Sequence, residues 1–249
     1  MVNELVANSG DFKLFFEIVK EFATEAIVLI DQDEMNIRTL DTANVMMVDV
    51  TISNLKENSI DDVYEVGVNT EECYTVLNTI KGGDATLSLL DGKIQFSSGR
   101  WKVAIPTYDV ATMRKRPGYP SNMVHPVELD ITDKLFPEAL KSISAKVDKV
   151  KISSTLNPDE LLIIESFDER LEWRVAFDSE GVEVVKQERE VRSYMSADYL
   201  KSIGSILPKL QDISICLGQD QPLVIRGVFQ GGDSTVEYIL APRVGLEEG

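Results

Sequence analysis

The chain has 249 residues, 43% of them apolar, and its 42 Asp and Glu outweigh 25 Lys and Arg to give a formal net charge of -17. A chain of this length buries one large core or two of about 115 residues each, and such a charge predicts a self-repelling surface that avoids nucleic acid unless its cations are gathered in one place. A single histidine, His125, and two cysteines, Cys73 and Cys216, leave little material for imidazole metal sites or for Ser-His-Asp catalysis.

Residues 1–10 lack the basic and apolar regions of a signal peptide, and no apolar run is long enough to cross a bilayer, so the chain is expected to stay where it is made. Phe12, Phe15, Phe16, Val19, Phe22 and Ala23 then recur at helical spacing, with Lys13, Glu17, Lys20 and Thr24 on the opposite stripe and Asp11 as the expected N-cap. Strands follow at 26–30, 35–40 and 45–52, separated by polar turns. The pattern restarts with a strand at 64–68, a helix at 70–80 that turns Cys73, Val76, Leu77 and Ile80 inward, and strands at 85–90, 93–97 and 100–105. Gly82-Gly83 and Asp91-Gly92 mark the turns between them.

Three prolines and a glycine within 117–126 suit an extended connector. Beyond it the order repeats, with a helix at 135–144, strands at 149–153, 161–166 and 171–177, a second helix at 197–207, and strands at 213–217, 223–228 and 235–240. The expected division is a first domain at 1–116, a connector at 117–127, a second domain at 128–246 and a tail at 247–249. The octapeptide Lys13-Leu14-Phe15-Phe16-Glu17-Ile18-Val19-Lys20 returns as Lys134-Leu135-Phe136-Pro137-Glu138-Ala139-Leu140-Lys141, although its spacing is slightly shorter than the following strands require. Trp101-Lys102-Val103-Ala104 is echoed by Trp173-Arg174-Val175-Ala176.

No Gly-rich phosphate loop, dinucleotide fingerprint or Cys-x-x-Cys is present. Asp31-Gln32-Asp33-Glu34, Asp61-Asp62 and Glu71-Glu72 read as exposed turns and helix N-termini rather than paired catalytic acids, so neither an enzyme nor a metal or other cofactor is expected. His125 reads as a solvated loop residue, and both cysteines read as buried thiols in a reducing compartment. Lys13, Lys20, Lys134, Lys141, Lys146, Lys201 and Lys209 lie in or beside three of the four expected helices. Singly each is a solvated helix residue, paired in places with Glu17 or Glu138; together they form a surface able to hold phosphates without reading bases.

Glu25-Ala26, Asn36-Ile37-Arg38-Thr39-Leu40-Asp41 with Val45, Ser193-Tyr194-Met195-Ser196-Ala197-Asp198-Tyr199-Leu200 and the closing Tyr238-Ile239-Leu240-Ala241-Pro242-Arg243-Val244 resemble the sliding clamps of the proliferating cell nuclear antigen family, the archaeal branch above all. The resemblance spans 4–244, and the closing motif after Asp220-Gln221-Pro222-Leu223 is its most specific part. It implies an α+β clamp fold of two similar domains, each a pair of βαβββ units, in a trimeric ring whose helices line a channel around duplex DNA while antiparallel sheets lie outside. Domain size agrees with that ring number: domains about 30 Å across leave a hole of about 30 Å when six close a circle, but under roughly 10 Å when four do.

The resemblance also implies a processivity factor that tethers a DNA polymerase, flap endonuclease and DNA ligase through short peptide motifs and is placed by a clamp loader. The compartment would be a nucleoid-containing cytoplasm in an archaeon and the nucleus in a eukaryote. By position, the partner pocket would comprise Leu40, Asn44, Val45, Met47, Met123, Val124, Pro222, Ile239, Ala241 and Pro242. Subunits would join through an edge carrying Tyr108, Val110 and Met113 and another carrying Trp173, Val175 and Phe177. The sequence departs from the family's pattern at Ile239, where an aromatic is common, and at Thr75 and Asn78, where basic residues are typical. Two alternatives are a subunit of a heterotrimeric or checkpoint-type clamp, and a protein-protein adaptor without DNA contact.

Overall fold

The computed structural model describes residues 3–168 and 171–243, and in it the βαβββ order occurs four times. The first repeat is β1 (Asn3–Asn8), α1 (Ser9–Lys20), β2 (Glu25–Ile30), β3 (Met35–Leu40) and β4 (Met46–Ile52), followed by a short β5 (Glu57–Asn58). The second is β6 (Tyr64–Asn69), α2 (Thr70–Leu77), β7 (Asp84–Leu90), β8 (Lys93–Ser98) and β9 (Trp101–Pro106). The third is β10 (Val127–Ile131), α3 (Leu135–Ser142), β11 (Lys149–Ser154), β12 (Leu162–Asp168) and β13 (Leu171–Phe177), again with an extra strand, β14 (Val182–Gln187). The fourth is β15 (Val191–Ser196), α4 (Ala197–Ile206), β16 (Leu210–Leu217), β17 (Leu223–Phe229) and β18 (Thr235–Leu240).

Contacts divide the chain into two compact units, one running through Tyr119 with the addition of Gly231–Val236, the other comprising Pro120–Gln230 and the chain from Glu237. In the first unit the strands run β5-β1-β7-β8-β9 in one sheet and β4-β3-β2-β6 in another array, with the registered pairs antiparallel. Helices α1 and α2 pack together. Phe12, Phe15 and Phe16 of α1 are fully buried, and Phe96 of β8 meets Phe12 at 5.9 Å and Phe16 at 6.0 Å edge to face. Each such ring contributes roughly 1.5–3 kcal/mol of burial, so the aromatic stripe visible in the sequence fixes which face of α1 is hidden.

The second unit has the strand orders β13-β12-β11-β15 and β14-β10-β16-β17-β18. Its helices α3 and α4 pack closely, because Gly204 leaves room where an added Cβ would lie 2.7 Å from Leu140 Cβ. Phe136 and Phe177 lie edge to face at 5.8 Å, tying α3 to the end of β13.

Several expectations change. Asn8, not Asp11, caps α1, its side chain accepting from the amide of Gly10, while Asp11 sits in the first turn. Helix α2 ends at Leu77, leaving Val76 only half-buried and Ile80 outside the helix. The strands β1, β10 and β15 that lead into their helices were not expected, whereas β6, which leads into α2, was. In β14 the alternation is blurred, since Val184 and Val185 are both exposed on a terminal strand. Strands β1 and β10 end at Asn8 and Ile131, 123 residues apart, so the repeated octapeptide, offset by 121, is out of structural frame. Lys134 accordingly stands at the N-cap position of α3 rather than within the helix.

Candidate DNA-facing helices, docking residues and subunit edges

The seven lysines divide by environment. Lys20 is largely enclosed, with 18% of its side chain exposed; its ammonium lies 3.2 Å from Glu21, 3.7 Å from Glu71 and 4.7 Å from the centre of the Tyr74 ring. Burial works to lower its pKa, but the hydrogen bond and charge of Glu21, then Glu71 and Tyr74, outweigh it and hold the pKa above the usual value. Lys20 thus ties α1 to α2. Lys201 pairs with Asp198 at 2.7 Å, and Lys13 is half-buried. Lys134, Lys141, Lys146 and Lys209 are exposed.

The expected concentration of cations on the helices is therefore not present within the helices themselves. Asp11, Glu17, Glu71, Glu72, Glu138 and Asp198 outnumber Lys13, Lys20, Lys141 and Lys201 there. Positive charge lies instead at the flanks, in Lys134, Lys146 and Lys209. Glu17 and Glu138 were expected as partners of these lysines; Glu71 and Glu72 of α2 tip the balance to acid.

Among the residues expected to dock a partner in the first unit, Leu40 and Val45 are half-buried, Asn44 is exposed and Met47 is 5% exposed. Met47 therefore belongs to the core beneath the surface, not to an open wall. The Asp41 carboxylate organises this turn by accepting from the amides of Ala43 at 3.0 Å, Val45 at 2.8 Å and Met46 at 2.9 Å. Asn44 takes a left-handed φ of 58°, a conformation that asparagine tolerates better than most residues. Arg114 closes the turn from outside, donating to the Asp41 carbonyl at 2.9 Å and to the Asn44 side chain.

In the second unit Val124 is 72% exposed, while Met123, Pro222, Ala241 and Pro242 are half-buried and Ile239 is buried. His125 is not a solvated loop residue: its Nε2 lies 2.9 Å from the Pro222 carbonyl, so that nitrogen carries the proton and donates. Lys186 donates to the His125 carbonyl at 2.9 Å, pinning the connector residue from its other end. Arg243 is held by the Asp148 carboxylate and by its own amide, which donates to Tyr194 at 2.8 Å. Each group of docking residues is thus fixed within its own unit by hydrogen bonds from its loops.

The first expected subunit edge is corrected. Tyr108 makes only an isolated bridge to Gly67, Val110–Thr112 is a 3-10 turn capped by Asp109, and Met113 follows it, so none of the three lies on an edge strand. Gly67 permits the close approach of this segment: an added Cβ would meet Met113 Sδ at 2.3 Å and the Tyr108 carbonyl at 2.8 Å. The first unit's five-stranded sheet ends instead in β9 on one side and the two-residue β5 on the other. The second expected edge coincides with β13, which ends its sheet and carries Trp173 and Val175 half-buried and Phe177 buried. The two echoing segments, Trp101-Lys102-Val103-Ala104 and Trp173-Arg174-Val175-Ala176, thus both lie on terminal strands.

No family model matches the chain. A DNA polymerase sliding clamp of Methanoculleus marisnigri is 28% identical over 240 residues, covering 94% of this chain and 95% of its own. One from Archaeoglobus fulgidus is 29% identical over 240 residues, covering 90% and 91%. Among solved structures, that of the C-terminal region of FEN-1 bound to A. fulgidus PCNA superposes with a TM-score of 0.87 at 22% identity, covering 99% of this chain and 100% of that one. Over nearly its whole length the chain is similar to archaeal DNA polymerase sliding clamps, and it shares the fold of the solved clamp.

Both cysteines are core residues: Cys73 and Cys216 are buried and unbonded to each other, and burial pushes both thiols up, away from the reactive thiolate. Among the described residues no group of His, Cys, Asp and Glu is arranged to hold a metal ion, and no helix is long and apolar enough to cross a membrane. A further cluster of charge stands outside the expected site. Arg114-Lys115-Arg116, directly before Pro117, concentrates three cations in a chain of net charge -17, and that run was visible without any structure.

Proposed function

We propose that three copies of this chain close into a ring around duplex DNA and serve as a processivity clamp for replication and repair enzymes. The observation that carries this reading is the end-to-end agreement with sliding clamps in both sequence and fold. Ring closure uses β9 of one subunit against β13 of the next, two terminal strands that carry unpaired backbone donors and acceptors on their outer sides. Exposed Lys102 and Glu172 supply opposite charges along those strands.

Topological enclosure then provides retention, so strong DNA contacts are unnecessary. The flanking Lys134, Lys146 and Lys209, with Lys141 on α3, offer weak, sequence-independent attraction, and the acidic remainder keeps DNA off other surfaces. Partners dock on Leu40, Asn44 and Val45 of the first unit and on Met123, Val124, Pro222, Ala241 and Pro242 of the second, while Met47 and Ile239 are buried in their own units. The clamp loader, DNA polymerase, flap endonuclease and DNA ligase are the partner classes; the FEN-1 segment bound to the A. fulgidus clamp supports the third of these.

The native mass of the purified chain tests the assembly. Three chains of 27.8 kDa are expected in one particle. A chain that stays monomeric until mixed with a different clamp subunit would favour the heterotrimeric alternative, and one that stays monomeric under all conditions would overturn the ring.

A further inference from the structure

A cavity of about 230 Å³ opens in the first unit between the end of α1, strands β2 and β3, and the segment 113–116. Its floor is apolar, with Phe22, Ala26, Ile27, Leu40 and Met113. Its polar lining is strongly one-sided: Arg38, Arg114, Lys115 and Arg116 against a single carboxylate, Glu25.

The charges behind this lining are incompletely compensated. Arg38 Nε donates to Asp49 at 2.6 Å, and the same carboxylate accepts from Asn36 Nδ2 at 2.6 Å, while Asn36 Oδ1 accepts from Arg116. One carboxylate therefore serves two guanidinium groups, one of them only through an amide. Glu34 and Glu65 add a weaker field at Arg116, whose pKa burial and the Arg38 charge both hold below the usual value. Arg116 Nε is buried and finds no acceptor among the described residues. Arg114 spends its donors on neutral acceptors, the Asp41 and Leu40 carbonyls and the Asn44 side chain. Lys115 is exposed, with no carboxylate within ion-pair distance among the described residues.

We propose that this cavity docks an acidic peptide segment of a partner protein, with a carboxylate at Lys115, Arg116 and Arg38 and a neighbouring apolar side chain on the floor. A buried donor without an acceptor is costly, and an incoming carboxylate supplies the missing one in a charge-assisted bond. The volume falls below the roughly 300–1,000 Å³ typical of small-molecule sites and suits one side chain of a longer ligand. An apolar floor argues for peptide over nucleic acid, whose backbone favours exposed cationic ridges. Arg114 also braces the Leu40–Asn44 turn, so the cavity adjoins part of the docking surface. The inference deepens the partner-docking reading and rests on it for the source of the peptide.

The test uses a fluorescently labelled oligo-glutamate peptide with two central leucines, titrated into the full chain, beside its lysine-for-glutamate counterpart and an oligothymidylate. The acidic peptide should bind, more weakly as salt rises, and the lysine peptide should not. Lys115→Gln with Arg116→Gln should weaken binding at least tenfold with thermal unfolding unchanged; Lys115→Gln alone, at an exposed position, should weaken it severalfold and guards against a folding defect in the double variant. Val124→Asp perturbs the partner surface of the other unit and should leave acidic-peptide affinity intact, so loss there would place the probe outside this cavity and overturn the proposal. Equal binding of the two peptides, preference for the oligothymidylate, displacement by millimolar inorganic phosphate alone, or unchanged affinity in the double variant would each overturn it.

Discussion

Replacing Gly204 with alanine sets helix propensity against packing, and the structure decides the sign. In an exposed helix the change would stabilise by about 1 kcal/mol, because alanine loses less backbone entropy than glycine. In α4, however, the new methyl would lie 2.7 Å from Leu140 Cβ, 3.1 Å from the Lys141 amide nitrogen and 3.2 Å from the Pro137 carbonyl oxygen. Ordinary carbon contacts fall near 3.5–4.0 Å, so α3 and α4 must separate by about 1 Å. Two of the three obstructing atoms are backbone and cannot rotate away. Overpacking of this kind costs about 1–3 kcal/mol, and the backbone clash favours the upper part of that range. After the propensity gain, a net loss of about 1–2 kcal/mol remains. For a unit of this size that corresponds to a fall of several degrees in the unfolding midpoint, roughly 4–8 °C per kcal/mol for domains of 60–100 residues. Thermal unfolding followed by near-ultraviolet circular dichroism would read it. An unchanged or raised midpoint would refute the close packing of α3 on α4, and with it the fixed placement of Lys141.

Two further predictions follow from the charged groups. Lys141→Gln with Lys146→Gln should lower the salt dependence of DNA association by close to one unit of slope for each lysine that no longer neutralises a phosphate, whereas Lys20→Gln should leave it unchanged and loosen α1 from α2 by about 0.2–1 kcal/mol. Equal effects from the two variants would contradict the division of lysines by environment. The hydrogen bond and charge of Arg243 hold the Asp148 carboxyl below the usual carboxylate range. A depressed folded pKa makes this anchor fully present at neutral pH and lost as the pH falls below about 4, through the usual carboxylate value and then the folded one. The amide resonance of Arg243 should shift over that acid range in the wild type and not in Asp148→Asn; a shift in both would remove Asp148 as the cause.

The parts of the fold legible in the sequence were those where burial writes a period. Phe12, Phe15 and Phe16 announced α1 because their spacing matches the hidden face of a helix, and β3 was bounded at Met35 and Leu40 by polar turns on both sides. Of the four strands leading into helices only β6 was legible; β1 passes through Asn8 into α1 with no turn between, so the period changes from two to helical within a few residues. The edge at 108–114 was misread because its apolar residues suit a strand, while the close approach of Gly67 that converts it into a bridge and a turn is a tertiary fact. In the candidate site, sequence identified the lysines but not their partners. Glu71, which engages Lys20, lies on another helix. His125 looked solvated because Pro222, its acceptor, is 97 positions away.

The central claim is topological: the assembled chain holds DNA by enclosure rather than by affinity. The most direct measurement is retention of the labelled protein, placed by a clamp loader and ATP, on closed circular DNA after a wash at high salt. Enclosure predicts stable retention on the circle and rapid release when a single restriction cut linearises it. Equal loss from circular and linear DNA, or equal retention on both, would contradict the account.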